Sequence, residues 1–276
     1  MTSLTDVRRL IAEAKSIIVH AGAGMSAELG ISPYWTGPNA RYGSELSPYG
    51  YTDLEHAHAA LWDAEPAMQA AFFAQKIAAL EAVNPLQPGS AYALLQRLIG
   101  TRRYMVSTSN PDSMFHRAGF VEPSLFEVHG TYRHSQCTIH PAEHGVFPTH
   151  IVDGTLRCPS CGNYARPNVL FFDDFGMNEA IYQTQWEHYH TFVNACDPNL
   201  TVVLEVGAGA TIPTIRNATM RLNSTYDFHV VRINPQVESG VDGAAFIYPR
   251  SKKAQFIQLR TPATRALTLL TSPTLE

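Results

Sequence analysis

The chain has 276 residues, 45% hydrophobic and only 16% charged, with 20 Lys and Arg against 24 Asp and Glu for a formal net charge of −4. That length and apolar content suffice for a full core and exclude a disordered chain. The slightly acidic balance argues against a nucleic-acid partner, whose phosphates are held by clustered Lys and Arg. Four cysteines in a chain this long are too sparse for a disulfide scaffold. Residues Met1 to Leu10 carry charges where a signal peptide has its apolar run. No stretch approaches the roughly 18 apolar residues of a membrane span. The expectation is a soluble, cytoplasmic protein with reduced thiols and no membrane partner.

Leu4, Val7, Leu10 and Ile11 fall on one face of a helix over 3–14. Ser16 to His20 is a short buried strand that runs into Ala21-Gly22-Ala23-Gly24-Met25-Ser26. Strand, glycine turn, then helix is the order of a dinucleotide fold. The third glycine of G-x-G-x-x-G is missing, and a plain strand–helix corner has the same pattern. Residues 33–53 are rich in Pro, Gly and aromatics, Tyr34 and Trp35 among them. A long loop of that kind is expected to close over a ligand. A helical core stripe follows over 66–83 through Met68, Phe72, Phe73, Ile77 and Leu80, and Ser90 is placed to cap a helix carrying Leu94, Leu95 and Leu98. Tyr104–Thr108 and Leu125–His129 read as strands. Residues 134–165 lose periodicity and gather His, Cys, Pro and Gly, which marks a small insert. Strands resume at Asn168–Phe172, Thr201–Val206 and His229–Ile233, and the tail from Ser251 has no legible motif. Five or six apolar strands alternating with helices predict an α/β class, a doubly wound, Rossmann-like parallel sheet. That domain comprises 1–133 and 166–276 with a helical insert over 36–98, and a smaller module occupies 134–165.

Thr108-Ser109-Asn110-Pro111-Asp112 directly follows a strand, at the end of a parallel sheet where ligands sit. An amide and a carboxylate two apart can read a carboxamide or orient a water; an Asx turn at Asp112 is the structural alternative. Glu127-Val128-His129-Gly130 ends the next strand, where a histidine suits a general base and equally suits a structural role. Cys137-x-x-His140 and Cys158-x-x-Cys161 are two knuckles whose spacer falls inside the roughly 15–20 residues of zinc sites. Cys137, His140, Cys158 and Cys161 would close a tetrahedral zinc site with no open position, a structural role; a degenerate, metal-free knuckle is the alternative. His144 and His150 stand as alternatives to His140, and Cys196 is left over.

In this order the elements resemble the sirtuins. In that family a G-A-G-x-S loop binds NAD, a T-Q-N-x-D stretch and an H-G pair carry the chemistry, and a zinc ribbon precedes an R-P-x-V-V-x-F-G-E strand. The matches are Gly22 to Ser26, Thr108 to Asp112, His129-Gly130 and Arg166 to Asp174. Val206 to Pro213 resembles a G-T-S stretch one residue short, and Ile233-Asn234 an I-N pair on the adenosine side of NAD. The resemblance runs from about residue 3 to about residue 235. It implies NAD as co-substrate, contacted by Ala21, Gly22, Ala23, Gly24, Met25, Ser26, Tyr34, Ser109, Asp112, Gly207, Ala208 and Asn234. Asp112 would hold the nicotinamide carboxamide, Asn110 would order the ribose and a water, and His129 would take a proton from a ribose hydroxyl. The implied activity is protein lysine deacylation, with an acylated protein as partner, cleavage of the nicotinamide–ribose bond and transfer of the acyl group to ADP-ribose.

Departures from the family pattern keep other readings open. I-P-D-F-R becomes Ile31-Ser32-Pro33-Tyr34-Trp35, the family glutamine becomes Ser109, and F-G-E becomes Phe172-Asp173-Asp174. An NAD glycohydrolase, or a mono-ADP-ribosyltransferase acting on a small nucleophile or a protein side chain, is the alternative. A non-catalytic sensor of NAD or ADP-ribose is the third reading.

Overall fold

The structure, a computed structural model, describes residues 4–31, 60–210, 212–235 and 251–272. Helix α1 (Leu4–Glu13) buries Val7 and Ile11 on the face set by its 3.6-residue pattern. Strand β1 (Ser16–Ala21) is buried at every position, as a central parallel strand covered on both faces must be. A single helical turn, α2 (Gly24–Ala27), follows. Helices α3 (Ala60–Ala64) and α4 (Pro66–Glu81) come next, the second starting at a proline whose missing N–H would be unbonded there anyway. Helix α5 (Ala91–Ile99) begins where the Ser90 hydroxyl accepts the Ala93 N–H at 3.1 Å, the expected cap. Strand β2 (Arg103–Thr108), the turn α6 (Met114–Arg117) and strand β3 (Leu125–Glu127) complete the first half.

The chain then leaves the parallel sheet. Strand β4 (Gly130–Cys137), helix α7 (Pro141–His144) and strands β5 (Val146–Pro148), β6 (Ile151–Val152), β7 (Thr155–Leu156) and β8 (Ala165–Val169) build a small antiparallel module. Its first sheet has the order β5-β4-β8, and β6 and β7 form a hairpin. Asp153 and Gly154, both at positive φ, make the hairpin turn. Helix α8 (Ala180–Asn194), strand β9 (Thr201–Val206), helix α9 (Thr214–Tyr226) and strand β10 (His229–Ile233) return to the main sheet, which ends with β11 (Phe256–Leu259) before helix α10 (Ala263–Thr271).

The main sheet is parallel throughout, in the order β11-β10-β9-β1-β2-β3. Counted from β3, this is the 3-2-1-4-5-6 order of doubly wound sheets, with the reversal between β1 and β9. Ile17, Val19, Val106 and Leu204 pack on one face, and Ile18, Met105, Val203 and Val230 pack against Tyr189, Val193 and Leu222 on the other. His20 points into this second layer, fully buried, with Nδ1 2.8 Å from Thr219 Oγ1 and Nε2 2.9 Å from Tyr189 Oη. Thr219 gives its own proton to the Ile215 carbonyl, so it accepts from Nδ1–H, and Nε2 accepts from Tyr189. Burial lowers the His20 pKa to about 3, which keeps the ring neutral.

Two expectations differ from the structure. The strand placed at Asn168–Phe172 is β8, over Ala165–Val169, and it pairs antiparallel with β4 in the small sheet. Its Pro167 and Asn168 suit an edge strand, where a missing N–H costs no ladder bond. The tail without a motif holds β11 and α10; Ala266 and Leu267 of α10 are buried. Among the described residues, no helix is long and apolar enough to cross a membrane.

Candidate active site and metal centre

At the sheet's reversal the loops after β1 and β9 meet backbone to backbone. A Cβ on Gly24 would lie 2.7 Å from the Gly207 Cα, one on Gly22 2.7 Å from the Ala208 Cα, and one on Gly207 2.4 Å from the Gly24 carbonyl carbon. Gly207 also adopts a φ of 62°, which favours glycine. The Gly24 N–H donates to the Gly207 carbonyl at 2.9 Å. The glycines were expected to admit a diphosphate; the group that approaches them in the structure is the neighbouring loop. The helix behind this turn is the single turn α2, too short to build a macrodipole toward the loop.

The loop after β2 reaches into the same place. Asn110 Nδ2 donates to the Gly22 carbonyl at 3.0 Å and to Ser26 Oγ at 3.2 Å. Ser26 donates its proton to Asp112 Oδ2 at 2.5 Å, and Tyr92 Oη lies 2.7 Å from Ser26 Oγ. Because the serine has one proton, Tyr92 is the donor in that pair. All four side chains are buried. Asp112 Oδ1 accepts the Met114 N–H at 3.0 Å. The Asx-turn reading of this stretch therefore holds: one carboxylate oxygen closes the turn, and the other is bound to Ser26. Burial pushes the Asp112 carboxyl up, and burial together with the Asp112 charge pushes the Tyr92 hydroxyl up.

His129 stands just beyond β3, with Nε2 3.3 Å from Thr214 Oγ1 at the start of α9. Burial lowers its pKa below the usual 6.5, against a hydrogen bond to the Ser109 backbone, so the ring is mostly neutral at pH 7. The glycine after it has a physical cause. Gly130 sits at a φ of 75°, and a Cβ there would lie 2.0 Å from the Asn168 carbonyl oxygen of β8. The Leu170 N–H donates to the His129 carbonyl at 3.0 Å, which ties the histidine to the small sheet.

The remaining candidates serve through their backbones or hold other loops. The Ser109 N–H donates to the Ala21 carbonyl at 3.1 Å. Ala21 and Met25 turn their side chains into the core. The Ala208 carbonyl accepts from Asn234 Nδ2 at 2.8 Å and from Arg216 Nε at 3.0 Å. Tyr34 and the aromatic loop over 33–53 lie outside the described residues.

The small module brings Cys137, His144, Cys158 and Cys161 together, with one donor atom of each within 4.8 Å of the others. A tetrahedral zinc with bonds of about 2.3 Å to sulfur and about 2.0 Å to nitrogen has S–S edges near ~3.8 Å and S–N edges near ~3.5 Å. Cys137 Sγ and Cys161 Sγ are 3.7 Å apart, and Cys158 Sγ and His144 Nδ1 3.3 Å, so these residues fit a zinc ion. Hydrogen bonds from Asn163 hold the Cys161 thiol below its ordinary value. His140, the expected fourth ligand, is outside the cluster. Its backbone N–H donates to Cys137 Sγ at 3.3 Å, while its ring nitrogen faces Glu143 at 3.7 Å. Pro141 starts α7 after it, and one helical turn later His144 comes round to the sulfurs. Cys196 packs against the second core layer instead.

A model described as the Sir2 family matches residues 22–204. The chain belongs to the Sir2 family. The Pseudomonas aeruginosa protein named NAD-dependent protein deacylase 2 is 28% identical over 236 residues, which is 85% of this chain and 87% of that one. A Thermus thermophilus NAD-dependent protein deacylase is 26% identical over 282 residues, 100% of this chain and 97% of its own. A Staphylococcus aureus protein ADP-ribosyltransferase is 24% identical over 229 residues, covering 75% and 69%. A solved Sir2 homologue in complex with NAD has a TM-score of 0.70 at 21% identity, over 97% of this chain and 92% of that one, and so shares its fold.

Against the Sir2-family pattern, the segment after β8 is distinctive. Asp174 Oδ1 accepts from Arg166 Nη1 at 3.2 Å and the Gly176 N–H at 2.8 Å; Oδ2 accepts from Arg166 Nη2 and the Phe171 N–H. The Arg166 guanidinium lies 4.5 Å from the Phe171 ring centroid, and Phe175 is fully exposed. Asp174 thus closes a turn on Arg166. The sequence reading missed Tyr92, Thr214 and Arg216. Tyr92 left one signal, a phenol in the apolar stripe of α5, because a buried hydroxyl there needs a partner.

Proposed function

We propose that this Sir2-family chain is an NAD-dependent protein lysine deacylase, acting on an acylated protein in a cytoplasmic, reducing setting. The observation that carries this reading is the placement of His129, just beyond β3, at the same sheet edge as the Asn110–Ser26–Asp112 network. NAD suits the donors present, since Asp112 offers a fixed carboxylate to a carboxamide and the two glycine loops offer backbone N–H groups to a diphosphate. When bound, NAD supplies the ribose carbon that accepts the acyl oxygen, and nicotinamide as the leaving group. Asp112 anchors the carboxamide through the oxygen pair that Ser26 and Met114 hold in place. Asn110, braced on Gly22 and Ser26, orders the adjacent ribose. His129 then takes a proton from a ribose hydroxyl, base catalysis typically worth about 10²–10⁴-fold. Zinc held by Cys137, His144, Cys158 and Cys161 has a structural role, because four protein donors leave no open position.

The test is incubation with NAD and an acetyl-lysine peptide, with products identified by mass. Nicotinamide, deacetylated peptide and O-acetyl-ADP-ribose in equal amounts are expected. ADP-ribose formed equally well without peptide would replace the reading with a glycohydrolase. A second reading, mono-ADP-ribosyl transfer, is supported by the name of the Staphylococcus aureus relative. It predicts an acceptor protein that gains ADP-ribose mass.

A further inference from the structure

Arg216 is a fully buried guanidinium in the first turn of α9. A cation there opposes the helix dipole, so its placement serves something other than the helix itself. Its Nε donates to the Ala208 carbonyl at 3.0 Å, and Asn234 Nδ2 donates to the same oxygen at 2.8 Å. Two donors on one carbonyl fix the plane of the Ala208–Gly209 peptide. In a trans peptide the C=O and the following N–H point in opposite directions. The Gly209 N–H is therefore turned away from Arg216 and Asn234, toward the exposed side of the loop. No described residue comes within 4 Å of a Cβ built on Gly209.

The facing loop repeats the arrangement. The Gly22 carbonyl accepts from Asn110 Nδ2 and from the Met25 N–H, each at 3.0 Å, which turns the Ala23 N–H the other way. Neither the Ala23 nor the Gly209 N–H donates to a backbone carbonyl among the described residues. The two loops touch at Gly24 and Gly207, so both outward N–H groups belong to adjoining turns at the sheet's reversal. Outward backbone N–H groups on adjoining turns form a concavity for an anion.

We propose that Arg216 is a positioning residue for the diphosphate of a dinucleotide. Acting through the Ala208 carbonyl, it aims the Gly209 N–H, which grips the diphosphate together with the Ala23 N–H. The proposal rests on the NAD reading above and adds to it the residue that sets the geometry of the second loop.

The test is calorimetric binding of ADP-ribose, NAD and adenosine to the wild type, Arg216→Gln, Gly209→Pro and the double variant. The wild type binds all three, and Arg216→Gln weakens ADP-ribose and NAD about tenfold with adenosine unchanged, whereas a general loosening of the fold would weaken all three. Gly209→Pro removes the N–H itself and gives a loss of similar size. The double variant is hardly worse than either single one, because both act through one N–H. Wild-type affinity for ADP-ribose in Arg216→Gln, or two losses that multiply, overturns the proposal. Should Arg216→Gln fail to fold, undiminished ADP-ribose binding by Gly209→Pro overturns it alone. A wild type that binds adenosine but neither diphosphate ligand overturns the NAD reading and this proposal together; one that binds them while the variants also do overturns only the latter.

Discussion

Tyr92 Oη donates to Ser26 Oγ across 2.7 Å, and this leaves the serine proton only one strong acceptor, Asp112. A phenol from α5 thereby fixes the direction of the next hydrogen bond in the network, from Ser26 to Asp112. Tyr92→Phe keeps the ring and deletes the donor. The expected result is a loss of about 1–2 kcal/mol in denaturant stability, the scale of one buried hydrogen bond left unmade. The KM for NAD rises several-fold, because Asp112 is no longer held in one orientation. Unchanged NAD kinetics in Tyr92→Phe would reduce Tyr92 to a packing residue.

His129 and Asn110 separate under mutation. His129→Ala slows deacylation by about 10²-fold or more while nicotinamide exchange stays measurable, because the base acts after nicotinamide leaves. Asn110→Ala damages both activities, since it orders the ribose before any bond breaks. Isotope-labelled nicotinamide exchange, run beside peptide deacetylation, distinguishes the two. Wild-type deacetylation by His129→Ala would make the histidine a structural strand-end residue.

The acid limb of the kcat/KM profile follows from the lowered His129 pKa. A protonated imidazole cannot accept a proton, so activity is full above the folded-state pKa and falls as pH drops through it. The midpoint is expected below the usual 6.5, and a midpoint at or above 6.5 would mean that its surroundings do not disfavour the charged ring.

His20 makes a separate, thermodynamic prediction. Its folded-state pKa of about 3 lies below the usual 6.5 of a free imidazole. The unfolded chain therefore binds a proton that the folded chain refuses between these values. Stability from this group is fully present above about pH 6.5 and falls with a slope approaching about 1.4 kcal/mol per pH unit down to about pH 3. Replacing His20 by Asn removes one proton from that slope, which urea titrations at several pH values would read. An unaltered slope means the ring is not buried neutral.

Zinc content tests the reassigned ligand. Protein purified without added metal should carry about one zinc per chain by elemental analysis. His144→Ala loses most of it and melts at a lower temperature, because metal affinity is part of the folding free energy. His140→Ala keeps it. The reverse pattern would restore His140.

Local signals in the chain gave the local structure. Ser90 capped its helix because a hydroxyl and an N–H three residues on are all that a cap requires. The glycine turn at Gly22–Gly24 and the knuckle at Cys158–Cys161 were legible for the same reason: their partners lie within a few residues. What escaped depends on distant partners. Nothing near Asn168 says that its strand pairs with β4, and nothing near Phe256 says that a four-residue strand completes the main sheet. His144 was ambiguous with His140 because the choice depends on one turn of helix after Pro141, which spacing rules do not resolve. Nothing near Gly24 says that Gly207 packs against it, because that neighbour is brought there by the order of the strands.

That contact also constrains how this sequence can drift. Gly24 and Gly207 occupy one shared volume, and a methyl group added to either would collide with the main chain of the other. No side-chain adjustment elsewhere can relieve such a clash, because both partners are backbone. A lineage that replaced one glycine would have to rebuild the opposite turn in the same stroke. A change at either position is thus sterically coupled to the other, and each loop acts as the other's guard against change.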